Sequence, residues 1–262
     1  MGELSERVIQ EGLRTRFLGR VIHAYATISS TMDAARDLAL AGAPEGAVVV
    51  TDEQTTGRGR LDRHWLSPSG SSVLISALLK PTAAVASRLT MVASLAVAQS
   101  IEDSLGLSTT IKWPNDVLIK GKKVSGILVE SEVRGEEVAF SIVGIGVNVN
   151  FDPAFLTDVI YPATTLSAEL GRTVPLCPLI QEILNRLEEL YIRVGEGWPI
   201  HREWQRRLET VGKRVRVVSF DRVEDGYAES VNEDGSLVLR RTDGTVTTIL
   251  AGDVTLREQN PA

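Results

Sequence analysis

IKWPNDVLIKGKKVSGILVESEVRGEEVAFSIVGIGVNVN, residues 111–150, is the stretch whose reading decides the fold. Its second half holds two apolar runs, KVSGILVESEV (123–133) and VAFSIVGIGVNVN (138–150). They are joined by Arg134–Gly135–Glu136, a hairpin signal. The first part, IKWPNDVLI (111–119), cannot be one uninterrupted central strand, because Pro114 has no N–H to give to a ladder. Trp113–Pro114 instead makes a stiff extended corner, and Lys120–Gly121 a turn. Asn115 and Asp116 follow the corner, positioned for hydrogen bonding. Lys122 and Lys123 follow the turn and lead into an apolar strand, where lysine is rarely buried unpaired. Gly126, inside that strand, suggests that another group needs room there.

On the N-terminal side, LGRVIHAY (18–25), AVVVTDEQ (47–54) and SSVLISALL (71–79) predict strands. Ser30 or Thr31 can cap a helix over MDAARDLALAG that stops at Gly42, and a second helix fits 84–105. Residues 1–17 read as a short amphipathic helix or a frayed lead-in. On the C-terminal side, 165–171, 178–197 and 198–210 predict helices with Gly or Pro punctuation. From 211 the pattern changes to short alternating strands: KRVRVVS (213–219), EDGYAESV (224–231), GSLVLRR (235–241) and TVTTILAGDVTLR (245–257). Turns are expected at 233–235 and 242–244. The expectation is an α+β domain over 1–210 with a small all-β module over 211–262.

Composition narrows the function classes. The 262 residues hold 28 Lys+Arg, 34 Asp+Glu and 3 His, for a net charge of −6. At 43% hydrophobic and 24% charged the chain is an ordinary folded one rather than a disordered one. Cys177 is the single cysteine, which excludes a disulfide scaffold. The start has no apolar signal segment, and no run approaches the ~18 apolar residues of a membrane span. A cytoplasmic protein without membrane attachment is therefore expected. The acidic balance argues against wholesale nucleic-acid binding, though not against a local basic patch.

Several familiar motifs are missing. There is no GxxxxGK[ST] phosphate loop and no GxSxG elbow. His23, His64 and His201 are scattered without HExxH or CxxC partners, so no fixed metal site is expected. Gly144–Ile145–Gly146 continues as Val147–Asn148 and does not complete GxGxxG.

What remains is three segments. GRGRLDR (57–63) sets Arg58, Arg60 and Arg63 in a loop whose glycines let backbone N–H groups approach a ligand. Guanidinium forks match carboxylate and phosphate oxygens; the bland alternative is a solvated loop. Gln54 and Trp65 flank it where the chain rejoins the sheet. The second segment is 112–130, described above. The third, VGIGVNVN (143–150), joins two glycines to a buried-type Asn at a strand end, which suits a ligand meeting backbone or, alternatively, a β-bulge. Residues 54–64 carry three Arg against one Asp, and 111–124 carry four Lys against one Asp. A compact positive site thus sits within an acidic chain.

Together, Q-x-x-G-R-G-R-x-x-R-x-W, K-W-P-N-D, G-K-K-x-S-G-I-L-V-E and G-I-G-x-N resemble the bacterial biotin protein ligases (biotin–[acetyl-CoA-carboxylase] ligases), from about residue 18 to 258. The resemblance implies a mixed sheet flanked by helices, the class II aminoacyl-tRNA synthetase/biotin ligase-like core, with a C-terminal SH3-like β-barrel. It implies a biotin pocket at Ser30, Thr31 and Gln54, with Met32 standing where the family has Asn. Arg58, Gly59, Arg60, Lys123 and Gly126 would complete that pocket. Arg60, Arg63, Trp65, Asn115, Gly144 and Asn148 are the expected nucleotide contacts.

The implied reaction is attack of the biotin carboxylate on the α-phosphorus of ATP, then transfer from biotinyl-5′-AMP to a lysine of a biotin carboxyl carrier protein. Two anions must approach, so cations are required, and Lys123 and Arg58 are the expected catalytic pair. Asp116 is the candidate to assist deprotonation of the acceptor amine, whose free pKa is about 10.4. Mg²⁺ would screen the triphosphate; its ligands are not placed, with Asp116 one candidate. Regulatory family members carry an N-terminal winged helix-turn-helix. Since the first core strand falls near residue 18, a ligase without repressor function is expected. Two rival readings are a lipoate or octanoate ligase on the same core and a non-catalytic nucleic-acid binder using GRGRLDR. Whether the 123–150 hairpin edge pairs across a homodimer stays open.

Overall fold

The computed structural model describes residues 4–61, 63–156, 161–219 and 222–256. Those residues form a seven-stranded mixed sheet and a five-stranded antiparallel one. The larger sheet runs β1-β2-β3-β7-β6-β5-β4, with β1 Ile22–Ile28, β2 Val48–Gln54, β3 Ser72–Leu79, β4 Thr110–Lys112, β5 Asp116–Ile119, β6 Lys122–Arg134 and β7 Glu137–Asn148. Only β1 and β2 are parallel, joined by helix α2, Thr31–Leu40. Parallel neighbours need such a crossover, whereas β4–β5, β5–β6 and β6–β7 are consecutive antiparallel pairs. Helix α1, Glu6–Glu11, precedes β1.

The two faces of this sheet are covered differently, and that difference makes the site. Side chains alternate along a strand. Val73, Ile75, Ala77 and Leu79 of β3, with Val143, Ile145 and Val147 of β7, join the main core. That core is completed by α4 (Leu89–Leu105) and α6 (Leu176–Gly195), which pack on each other. Each aliphatic side chain fully buried there contributes roughly 1.5–3 kcal/mol. On the opposite face α2 covers only one half, where Met32 and Ala35 pack on Val49, Leu78, Phe140 and Ile142. The other half presents mostly small or polar residues, Ser72, Gly126, Gly146 and Asn148 beside Leu74, with Ser76 at its border bonded to Thr31 at the start of α2. Its glycines make a low floor on that side of the sheet.

The lead-in to β1 is fixed by one carboxylate. Glu188 of α6, 4% exposed, accepts the backbone N–H groups of Arg16, Phe17 (2.9 Å) and Leu18 (2.7 Å). Buried charge is tolerable when hydrogen bonds satisfy it this fully. The strand expected from residue 18 therefore starts at Ile22. The helix expected over 84–105 is two, α3 Ala83–Ala86 and α4, because Ser87 Oγ donates to Ala84 O (3.0 Å) at the break. Later helices are α5 Leu166–Leu170, α6, and α7 Ile200–Arg207.

The second sheet runs β11-β10-β9-β8-β12. Its strands are β8 Arg214–Ser219, β9 Arg222–Val231, β10 Leu237–Arg241, β11 Val246–Ile249 and β12 Asp253–Leu256. The single strand expected over 245–257 is thus two, interrupted at residues 250–252. β12 crosses back to pair with β8, Asp253 opposite Val218, and so brings Asp253 to Arg63 of the larger module. The modules meet around Trp113, 1% exposed, whose indole N–H donates to Gly235 O at 2.9 Å. No helix among the described residues is long and apolar enough to cross a membrane.

Candidate active site

The corner expected at Pro114 is present: β4 and β5 pair antiparallel across a cis Trp113–Pro114 bond, with Lys112 opposite Asp116. Asn115 at its tip is locked by two bonds to β6, Nδ2 to Ile127 O (2.8 Å) and Ile127 N–H to Asn115 O (3.1 Å). Its Oδ1 thus faces outward and accepts from Arg60 Nη1 at 3.0 Å. Between β5 and β6 the register slips at Val117/Leu118. Such a slip frees a residue from the ladder. The residue left out is Val124; Lys123 stays opposite Leu118, while its N–H donates to Pro162 O (2.8 Å) and its carbonyl accepts from Thr164 N–H (2.9 Å). Its ammonium pairs with Asp116 at 2.7 Å, the side chains being 30% and 13% exposed.

The arginine segment is a small hairpin rather than an open loop. Trp65 N–H donates to Gly57 O (2.9 Å) and Gly59 N–H to Arg63 O (2.7 Å). Gly57 is required, since a Cβ there would lie 2.6 Å from Trp65 O. The hairpin lays the Trp65 indole on the uncovered floor. A Cβ on Gly146 would meet the ring at 2.7 Å, and one on Gly126 would meet it, and Lys123 Nζ, at 3.1 Å. This is the room that Gly126 was expected to provide. Gly146→Val is expected to lift the indole off the strand pair at a cost of about 1–3 kcal/mol. The check is a red shift of tryptophan emission with an unchanged far-UV spectrum; emission that stays put would refute this packing.

The three arginines have different partners. Arg58 is paired with Asp33 (2.7 Å) and Glu130, which raise its pKa against the lowering by burial. It does not line the cavity, and the structure does not bring it beside Lys123. Arg63 is paired with Asp253 of β12. Arg60 touches only neutral oxygens, Asn115 Oδ1 and Gly252 O (3.3 Å), and burial lowers its pKa. Around Arg60 lies a cavity of about 380 Å³, walled by Trp65, Asn115, Asp116, Lys123, Asn148 and Asp253 among others. Gly59 and Arg63 line it too.

A second polar cluster stands on the other side of Gly57. Gln54 Oε1 accepts from Thr31 N–H (2.8 Å) and Thr31 Oγ1 (3.0 Å), and Ser76 Oγ donates to Thr31 Oγ1 (2.8 Å). Ser30 Oγ is buried without a hydrogen-bond partner. Such an atom costs free energy unless a ligand or water satisfies it. Met32 is core: a Cβ on Gly144 would lie 2.5 Å from its Sδ. Gly144, expected among the nucleotide contacts with Asn148, sits under Met32 at the Ser30 end and does not line the Arg60 cavity. Asn148 is 3% exposed and donates to Thr164 O (3.2 Å). No bulge interrupts its pairing in β7, where residues 141–148 match β3 without a slip.

Sequence reasoning assigned no role to Lys112, Ser76, Tyr161 and Asp253. Two of these were legible. Lys112 heads the Trp-Pro-Asn-Asp motif, and Ser76 breaks an apolar run at even spacing with Ser72. Asp253 reaches the site only because β12 crosses back.

The biotin/lipoate A/B protein ligase family model matches residues 24–148. The chain is 37% identical to the bifunctional ligase/repressor BirA of Bacillus subtilis over 97% of its own length and 80% of that protein. The chain belongs to the biotin protein ligase family. This biotin protein ligase is also 30% identical to a biotin–[acetyl-CoA-carboxylase] ligase of Mycobacterium tuberculosis, over 80% of the chain and 79% of that relative. A solved biotin protein ligase from Aquifex aeolicus in complex with biotin and ATP superposes with a TM-score of 0.75 at 28% identity. It covers 92% of this chain and 100% of that one. The ligase therefore has the mixed-sheet core and SH3-like module of its family.

Proposed function

We propose that this ligase joins biotin to ATP, giving biotinyl-5′-AMP and pyrophosphate, and then transfers the biotinyl group to a lysine of a biotin carboxyl carrier protein. The reading rests on the cavity at Arg60 and Lys123, set beside the Ser30–Thr31–Gln54 cluster, in a chain with this kinship. The buried Ser30 hydroxyl and the Gln54 amide offer polar partners for the ureido ring. Leu74 and the glycine floor suit the apolar body of the molecule. At the other end a carboxylate oxygen attacks the α-phosphorus while the bond to the β-phosphate breaks. Lys123 and Arg60 offset the repulsion between the two anions.

In the second step the acceptor amine attacks the acyl carbon and AMP leaves. Asp116, 13% exposed and held by Lys123, is the carboxylate placed to take the amine proton. Mg²⁺ enters as part of the nucleotide substrate. Among the described residues no group of three or more His, Cys, Asp or Glu could hold a metal. That fits an ion held mainly by phosphates with one or two carboxylates, for which Asp116 and Asp253 are at hand.

Incubation with biotin, ATP–Mg²⁺ and an apo carrier domain should add one biotinyl group to the carrier lysine by mass. No gain on a carrier that another biotin ligase can modify would overturn the reading.

A further inference from the structure

The cations around the cavity divide by what they already hold. Lys123 is paired with Asp116, Arg58 with Asp33 and Glu130, and Arg63 with Asp253. A cation so paired must exchange partners before it can hold a phosphate. Two are not so engaged. Arg60 has only neutral oxygens. Lys112 makes no ion pair among the described residues; its Nζ lies 2.9 Å from the centroid of the Tyr161 ring. Tyr161 in turn donates to Val254 O of β12 at 3.1 Å and lines the cavity. A ring face holds an ammonium far less strongly than a phosphate does once water is excluded. Lys112 is thus a partly desolvated cation parked on Tyr161, a residue of the cavity wall.

We infer that Lys112 is a further catalytic residue, the cation that receives the β- and γ-phosphates of ATP and meets the charge developing on the leaving pyrophosphate. This rests on the ligase reading above and adds to it a division of labour: Arg60 and Lys123 at the α-phosphate, Lys112 at the leaving group. When the carboxylate oxygen bonds to the α-phosphorus, the electron pair of the broken anhydride bond passes to a pyrophosphate oxygen. No proton is required, only a positive charge close to that oxygen.

The environment agrees. Burial pulls the Lys112 ammonium down to about 8, while Asp116 and Asp253 push it up and Lys123 and Arg63 push it down. A group lowered in this way opposes folding most while it is charged in both states, at pH below about 8. Its penalty fades between about 8 and the ordinary lysine value. Lys112→Met should therefore raise the Tm at pH 7, and raise it less at higher pH. A lysine that merely braced the corner would lower the Tm on removal.

The test separates the two half-reactions in the full-length chain. In biotin-dependent ATP–pyrophosphate exchange, Lys112→Met should raise the KM for ATP about 20-fold, the loss of one charge-assisted contact. The KM for biotin and transfer from supplied biotinyl-5′-AMP to the carrier should hold. Lys112→Arg should recover most of the exchange. Wild-type exchange should fall as pH rises through about 8, and the arginine variant should not show that fall. Normal exchange in Lys112→Met would overturn the inference. So would loss of transfer alone, or equal loss of both steps with a lowered Tm. A wild-type chain without exchange would overturn the ligase reading itself, a result distinct from an active wild type with an indifferent variant.

Discussion

Lys123→Ala is expected to lower biotin-dependent pyrophosphate exchange by at least ~10³-fold, the scale of losing a charge aimed at a developing transition state. The ammonium stands 2.7 Å from Asp116, on a residue that pairs opposite Leu118 beside the β5–β6 slip. Alanine would leave Asp116 without its cation in a site where carboxylate already meets phosphate. Some stability should be lost too, less than the ~3–5 kcal/mol of a fully buried pair, because Lys123 is partly exposed. The double variant Lys123→Ala/Asp116→Asn separates the effects. It removes the orphaned charge and should recover the Tm, yet exchange should stay absent. Recovery of exchange along with stability would show that Lys123 serves only to hold Asp116.

The fold was legible where the sequence states its own geometry. Pro114 announced the corner, Gly135 the hairpin, and the alternating C-terminal runs the second module. What escaped was set by distant packing. No local pattern shows that residues 245–257 split so that β12 can return to β8, and with that split Asp253 and Gly252 arrive beside Arg63 and Arg60. The site behaved similarly. Arg60, Trp65, Asn115, Asp116, Lys123 and Asn148 were named in advance and do surround one cavity. Arg58 was named for the same reason, its guanidinium, but Asp33 and Glu130 claim it from α2 and β6. Motif spacing identifies which residues carry charge; only the three-dimensional partner list says which charges are still available.

That distinction also decides the effect of Arg60→Gly, which should release biotinyl-5′-AMP about 10²-fold faster. Arg60 is buried enough that desolvation lowers its pKa; its hydrogen-bond partners, Asn115 Oδ1 and Gly252 O, carry no charge, and Asp253 and Asp116 nearby offset the cost only in part. The cost is recovered when the phosphate of the mixed anhydride arrives, so much of the hold on the intermediate should reside in this one side chain. Glycine removes the side chain but keeps the carbonyl of residue 60 that accepts from Arg63 N–H (3.3 Å), so the backbone bonds of the hairpin stay available. Exchange should persist at reduced rate, because Lys123 is still in place. The escaping adenylate would acylate lysines at random, and bystander albumin in the reaction should become biotinylated, visible with labelled streptavidin. Wild-type chain under the same conditions should mark the carrier alone. If the variant also marks only the carrier, Arg60 does not retain the intermediate, and closure of the cavity by Trp65 would have to account for retention instead.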